Sequence, residues 1–374
     1  MVYLHVPFCR SFCTYCDFYS EIACRGRDAQ LFEQFTDAVC AEASRRRNEI
    51  EATRDLNTLY IGGGTPSVLP LSFLRQVAAA IGRTALRADE NYFPDKFAGK
   101  PISEFTIEVN PEDIVEKGEA YVRGLLELGV NRVSMGVQSL DNGILRWMNR
   151  RHDAAHARQA FEILRSAGVE NISVDLIFGL SQLSEAVLAE TLREIVAWRP
   201  EHVSAYQLSI EEGSALGRMV REGRYTEAPQ EQCAAQYRLL CDTLRDAGYH
   251  HYEISNWALP GREAIHNSAY WSRHPYVGLG PGAHSFDGKV RTWNPENLSS
   301  FAGSTGESLS PVEIREEEVM LGLRTARGIP AELLDAEKAA KMLADGRLAQ
   351  LPDGRLRIPE NYWFISDDII SELI

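Results

Sequence analysis

The chain has 374 residues, 44% hydrophobic and 25% charged, with a net charge of −14; that length buries one large core, or a large domain plus a small one. The acidic balance argues against DNA or tRNA as a main partner, because binding by counterion release needs a basic surface. No apolar run approaches the roughly 18–20 residues of a membrane span, and Pro7 and the cysteines stand where a signal peptide has its apolar region, so the expected compartment is the cytoplasm.

In chain order, short β-rich runs alternate with amphipathic stretches. The first run, 3–6, leads straight into a loop bearing Cys9, Cys13 and Cys16. A helical pattern at 28–44 follows, with Leu31, Phe35 and Val39 on one face. The second run, 58–61, ends in "GGGTP", and a helix is expected at 71–81. The segment 87–104 has no clear period and reads as an inserted surface loop. Runs at 105–109, 132–137, 172–178 and 202–209 complete a set of six, with helical patterns at 119–129, 154–168 and 184–198 between them. Gly129 and Gly168 stand where helices take glycine as a C-cap. Such alternation predicts right-handed βαβ units on a parallel sheet, as an open doubly wound sheet or a partial barrel. Glu108, Gln138, Asp175 and Ser209 fall at the carboxyl ends of strands, the edge where such folds gather function.

The remainder is less regular. A helix is expected at 228–247, then an irregular aromatic-rich region, 249–286, that contains "HNSAYW" at 266–271. The polar run 302–311 reads as a linker. Beyond it, helical patterns at 312–329 and 331–346 precede a hairpin pattern at 348–358 around Asp353 and Gly354. Helices followed by a wing-like hairpin suggest a small winged-helix-like α+β domain. Its 8 Lys/Arg against 13 Asp/Glu give no footing for DNA. The expected division is 1–227, an extension over 228–301, and a small domain over 312–374.

Cys9-x3-Cys13-x2-Cys16 on a loop leaving the first strand is a metal-binding pattern. Three thiolates can each take one iron of a cubane and leave the fourth without a protein ligand; a zinc site of the three cysteines plus His5 is the competing reading. Cys24, Cys40, Cys233 and Cys241 are scattered and read as small structural hydrophobes. "GGGTP" lacks the Gly-Lys-Ser/Thr of a phosphate loop; its glycines allow the backbone to approach a ligand closely.

"CRSFCTYC" resembles the signature of the radical S-adenosylmethionine superfamily. With "YLHVPFC" at 3–9, "YIGGGTPS" at 60–67, "IEVNP" at 107–111, "RVSMGVQS" at 132–139 and "VDLIFGL" at 174–180, the chain resembles the oxygen-independent coproporphyrinogen III oxidase-like family, over most of residues 1–210. The resemblance implies a partial (β/α)6 TIM-like barrel. It implies that Cys9, Cys13 and Cys16 hold a [4Fe–4S] cluster whose open iron is chelated by S-adenosylmethionine, reduced by a donor such as flavodoxin or ferredoxin. It further implies cofactor contacts at Tyr3, Gly63, Gly64, Thr65, Glu108, Gln138, Arg150 and Asp175, with Tyr15 along the adenine and Ser209 in the same site. In that reading Glu108 accepts from the amino group, Asp175 from ribose hydroxyls, and Arg150 pairs with the carboxylate.

Two branches of the family differ here. The oxidase proper carries C-x3-C-x2-C-x-C and a long arm before the first strand; this chain has Phe18 at the place of the last cysteine and two residues before Tyr3. The HemW-like heme chaperone branch has "YCDF" and H-N-x-x-Y-W, matched here at 15–18 and 266–271. The resemblance therefore implies a cytosolic chaperone that binds heme and passes it to apo-acceptors, membrane-bound respiratory enzymes among them, at the inner membrane face. His266 is the implied axial ligand of heme iron, with Tyr270 and Trp271 as flat apolar contacts. The competing functions are a coproporphyrinogen III dehydrogenase and a zinc-stabilised interaction protein.

Overall fold

A computed structural model describes residues 1–23, 28–82, 102–298, 301, 303 and 305–374. Cys24 and most of the loop expected at 87–104 lie outside the described residues; Glu104 itself opens a strand.

Six parallel strands form the body of the fold: β1 (Val2–Val6), β2 (Thr58–Gly63), β3 (Glu104–Val109), β4 (Arg132–Gln138), β5 (Ile172–Phe178) and β6 (His202–Gln207). Each pairs with the next in chain order. The strands are buried on both faces, so they read as nearly continuous apolar runs rather than alternating ones. The connecting helices are α1 (Asp28–Arg45), α2 (Leu71–Ile81), α3 (Pro111–Leu128), α4 (Ala154–Ala167) and α5 (Glu185–Trp198). In α4, Asp153 caps the start by accepting from the His156 amide, Ala157, Ala160, Phe161 and Leu164 form the buried face, and Gly168 ends the helix at φ 101°. The α3 helix begins eight residues before the expected 119, because Asn110-Pro111 starts it and Gly118 bends it at φ 66°.

Both edges of this sheet are covered by the region expected to be irregular. After α6 (Gln230–Asp246), β7 (His250–Glu253) and β8 (Asn256–Ala258) form a hairpin whose second strand runs antiparallel to β6. The chain then crosses to the opposite edge, where β9 (Val277–Leu279) pairs in parallel with β1. The result is one nine-stranded sheet, β9-β1-β2-β3-β4-β5-β6-β8-β7, which does not close on itself. Strands of three or four residues are too short to show a period, which is why the pattern was illegible.

Between β8 and β9 lies α7 (Ile265–Trp271), the "HNSAYW" segment. It packs under the amino-terminal ends of the sheet. The buried Glu104 carboxylate accepts from the Ile265 amide (2.7 Å) and the His266 amide (3.1 Å), supplying the N-terminal cap that Ala264 lacks. Glu104 also faces the fully buried Arg132 and offsets its charge.

The stretch expected as a linker contributes β12 (Thr305–Ser308), which pairs with β11 (Val290–Trp293), itself paired with β10 (His284–Phe286). All four residues of β12 are exposed, so no apolar alternation announces it. At the C-terminus, helices Pro311–Leu323 and Ala336–Ala344 precede β13 (Ala349–Gln350) and β14 (Leu356–Arg357), in the order of helices and wing that was expected. Ile329 bridges Leu356, and the further helix Ser366–Leu373 completes this small unit around Trp363. Among the described residues no helix is long and apolar enough to cross a membrane.

Removing the Glu104 carboxylate strips two amides and the Thr106 hydroxyl of their acceptor and leaves the nearby Arg132 charge less offset. Glu104→Ala should lower the unfolding free energy by about 3 kcal/mol in urea titrations, with Glu104→Gln intermediate because one oxygen still accepts.

Candidate functional site

A cavity of about 670 Å³ opens at the carboxyl ends of β2–β6 and reaches down to Arg132 and Asn267. The cysteine loop forms its upper wall, with Cys9, Cys13, Tyr15 and Cys16 facing in; Gly63, Gly64, Thr65 and Glu108 line one side, and Gln138, Arg150, Asp175 and Ser209 the other. Tyr3 is not among the lining residues. Its hydroxyl lies 3.1 Å from His5 Nδ1, and His5 Nε2 lies 2.9 Å from the Tyr19 carbonyl oxygen. A carbonyl only accepts, so Nε2 carries the proton and Nδ1 accepts from Tyr3. Both ring nitrogens are engaged in bracing the loop, and His5 is not available as a fourth metal ligand.

The loop is an arch with tied feet. Phe8–Cys9 pairs with Glu21–Ile22; between them the Thr14 amide donates to the Met148 carbonyl (3.0 Å) and its hydroxyl to the Trp147 carbonyl (2.8 Å), while Leu216 donates back to Thr14. Below the arch a polar chain joins two cysteines through three strand ends. Cys9 Sγ is 3.6 Å from Thr65 Oγ1, Asn110 Nδ2 donates to that hydroxyl (3.1 Å), Arg150 Nη2 donates to Asn110 Oδ1 (2.5 Å), and Arg150 Nη1 reaches Cys13 Sγ at 3.5 Å. Asn110 links the network, and sequence reasoning passed over it although it stands in "IEVNP", directly after a strand.

The donor set fits a polynuclear cluster. All three cysteines are half-buried and free. Burial pushes the Cys16 thiol up to about 11 and raises Cys9, so thiolates here call for bound positive charge.

Gly63 and Gly64 of "GGGTP" line the cavity and also make room for the cysteine loop. A Cβ on Gly63, at φ 111°, would strike the His5 ring at 2.6 Å, and one on Gly64 would meet the Phe8 carbonyl oxygen at 2.8 Å. One close approach they permit is that of the cysteine loop itself. Gln138 closes β4 at φ 65° beside an irregular register with β5, a left-handed backbone that costs a non-glycine about 1–2 kcal/mol and turns the residue toward the cavity.

Two half-buried carboxylates face the cavity. Glu108 accepts from the Tyr60 hydroxyl (2.8 Å) and the Gly63 amide (3.1 Å); burial nonetheless pushes its carboxyl up to about 7. Asp175 accepts from Ser134 (3.0 Å) and Ser173 (3.3 Å), and burial raises it too. The buried Arg132 and the half-buried Arg150 are cations of the same cavity. Anionic and cationic groups are thus fixed within one space, suited to a ligand that carries both signs.

The "HNSAYW" residues lie elsewhere. His266 is fully buried, its Nδ1 2.9 Å from Thr58 Oγ1 and its Nε2 3.1 Å from the Tyr270 hydroxyl. Tyr270 stands edge-on to Tyr276, and Trp271 is half-buried at the end of α7. Only Asn267 of this motif lines the cavity, at its floor. The mouth carries instead Phe12, Phe18 and Tyr206, which are 52%, 71% and 43% exposed.

The sequence profile of the radical SAM superfamily matches residues 3–195. The heme chaperone HemW of Synechocystis sp. is 34% identical over 91% of this chain and 82% of that protein. HemW of Bacillus subtilis is 34% identical over 91% and 87% of the two chains. Among solved structures, coproporphyrinogen III oxidase (HemN) from Escherichia coli superposes with a TM-score of 0.76 at 19% identity, over 99% of this chain and 89% of that one. That last likeness is one of fold.

The folded chain holds the Glu108 proton more tightly than the unfolded chain does, so stability falls as pH rises from the ordinary 4.5 to about 7, by ~3 kcal/mol in all. Glu108→Gln cannot ionise. Its unfolding free energy should decline less across that interval than the wild type's, by about that amount, in urea titrations at the two ends.

Proposed function

Because the chain belongs to the radical SAM superfamily and, within it, to the family of HemW heme chaperones, we propose that it binds heme and passes it to acceptor proteins. The relationship to HemW proteins along nearly the whole chain is the observation that carries this reading. The likeness to the oxidase rests on fold and lends its chemistry no support.

The superfamily implies a [4Fe–4S] cluster and S-adenosylmethionine. Cys9, Cys13 and Cys16 are the residues to hold the cluster, and three ligands leave one iron for the amino and carboxylate groups of S-adenosylmethionine. When bound, the pair supplies one-electron chemistry, fed by a donor such as flavodoxin or ferredoxin. The side chains divide the remaining tasks. Arg150 offsets the Cys13 thiolate and, with Asn110, holds the arch to the strand ends. Ionised Glu108 accepts from a cationic amino group, and Asp175, oriented by Ser134 and Ser173, accepts from hydroxyls.

For heme, the exposed rings at the mouth support a docking face. Phe12, Phe18 and Tyr206 offer flat apolar surface that a porphyrin would cover. His266 would have to leave Thr58 and Tyr270 before it could meet iron. In this proposal the chaperone works from the cytoplasm and reaches membrane-bound respiratory acceptors by transient contact at the inner face.

Hemin titrated into the cluster-reconstituted protein should bind one to one, followed by Soret absorbance. The double substitution Phe12→Ser with Phe18→Ser should weaken binding about tenfold or more while iron content stays unchanged. His266→Ala should lower the unfolding temperature and leave hemin affinity close to the wild type's. The reverse pattern, a folded His266→Ala protein that loses hemin while the rim variant keeps it, would move heme from the mouth to α7.

A further inference from the structure

Away from the cavity, α6, β7 and the 3-10 turn Glu360–Ile365 of the C-terminal unit bring three unlike side chains together. Ligand atoms of Cys241, His251 and Glu360 all lie within 4.8 Å of one another. His251 Nδ1 is 2.9 Å from Glu360 Oε1 and 3.9 Å from Cys241 Sγ. Its Nε2 lies 3.4 Å from the Ile254 carbonyl oxygen. A carboxylate oxygen only accepts, so the 2.9 Å contact puts the ring proton on Nδ1 in the metal-free chain; a bound cation would take that proton's place, with the ring proton moved to Nε2 facing the Ile254 carbonyl oxygen. A backbone carbonyl on the far nitrogen is how metal-binding histidines are commonly oriented.

The surroundings complete the argument. Cys241 and His251 are buried. The imidazole is stacked on Trp257 at 4.0 Å between ring centres and 15°, with Trp363 edge-on at 4.3 Å, so its plane is fixed and its flanks are dry. Glu360 is 37% exposed in its side chain and offers a way in from solvent. Its second oxygen, Oε2, lies 3.8 Å from Arg245 Nη1, which leaves Oε1 to face the gap. Sulfur, nitrogen and oxygen atoms thus lie within reach of a single ion.

We propose that Cys241, His251 and Glu360 form a mononuclear site for a zinc-class divalent cation, with water as fourth ligand. Mixed sulfur, nitrogen and oxygen donors favour a borderline-soft ion over magnesium or calcium. On binding, the Cys241 S–H and His251 Nδ1–H bonds break as the sulfur–metal and nitrogen–metal bonds form; one proton makes the N–H bond at Nε2 and the other leaves to solvent. Thiolate and carboxylate then balance the two positive charges. The ion would tie α6 and β7 to the C-terminal unit, independently of what the cavity binds, since none of the three residues lines it.

The test uses the full-length, cluster-reconstituted protein, treated with a chelator and then equilibrated with zinc. Elemental analysis should find one zinc per chain beyond the cluster iron, and zinc should raise the unfolding temperature. Cys241→Ser and Glu360→Gln should each weaken zinc binding about tenfold or more, with iron content and cluster absorbance unchanged. Cobalt in place of zinc should give a thiolate-to-metal absorption band that Cys241→Ser abolishes. Glu360→Gln keeps the side chain's shape at a partly exposed position, so it separates loss of a ligand from loss of fold. A wild-type protein that takes up no zinc overturns the proposal, as does zinc binding unaltered in either variant.

Discussion

A six-stranded parallel sheet that does not close leaves two unpaired edges and an open amino-terminal end, and everything else in this chain depends on how these are covered. One continuous segment, 250–279, does it. The hairpin β7–β8 takes the β6 edge, α7 passes beneath, and β9 takes the β1 edge. The crossing is pinned by Glu104, whose carboxylate caps α7 and faces Arg132. An unpaired strand edge is a template for association with other chains, so this strap protects the fold as well as shaping the cavity floor with Asn267.

At the other end of the strands the problem is to hold a loop of three thiols in fixed positions. The solution couples strand ends that are distant in sequence: Thr65 after β2, Asn110 after β3 and Arg150 beyond β4 form one chain of hydrogen bonds from Cys9 to Cys13. Because each link is made by a different βα loop, the arch is set by the register of the sheet. The glycines of the second loop serve the same end, leaving room for His5 and the Phe8 backbone where side chains would collide.

Much of this was legible in the sequence. The six strands were readable because each is a compact apolar run followed by a helix with its own cap, as at Asp153 and Gly168. The cysteine arch was readable because its spacing is local. The strap was not, because strands of three residues and a seven-residue helix carry no periodicity. "HNSAYW" drew attention to its histidine and aromatics, yet its histidine bonds Thr58 and Tyr270 beneath the sheet, and its asparagine is the residue that meets the cavity. Asn110 and Glu104 escaped for a related reason. Each acts through partners far along the chain, and sequence spacing does not report such meetings. Cys241 read as a buried hydrophobe, which its burial supports; the carboxylate beside it comes from 119 residues further on, and only the fold brings it there.

The parallel pairing of β1 with β9 also sets an order of assembly. Residues 2–4 find their outer partner only at 277–279, so during synthesis the first strand and the thiol-bearing arch that follows it wait, one edge bare, until about three-quarters of the chain has been made. Contacts of such long sequence separation form late and slow folding. Within the sheet, the β1 edge is therefore the last to be sealed, and until then the arch that follows β1 stands on a sheet still open on one side.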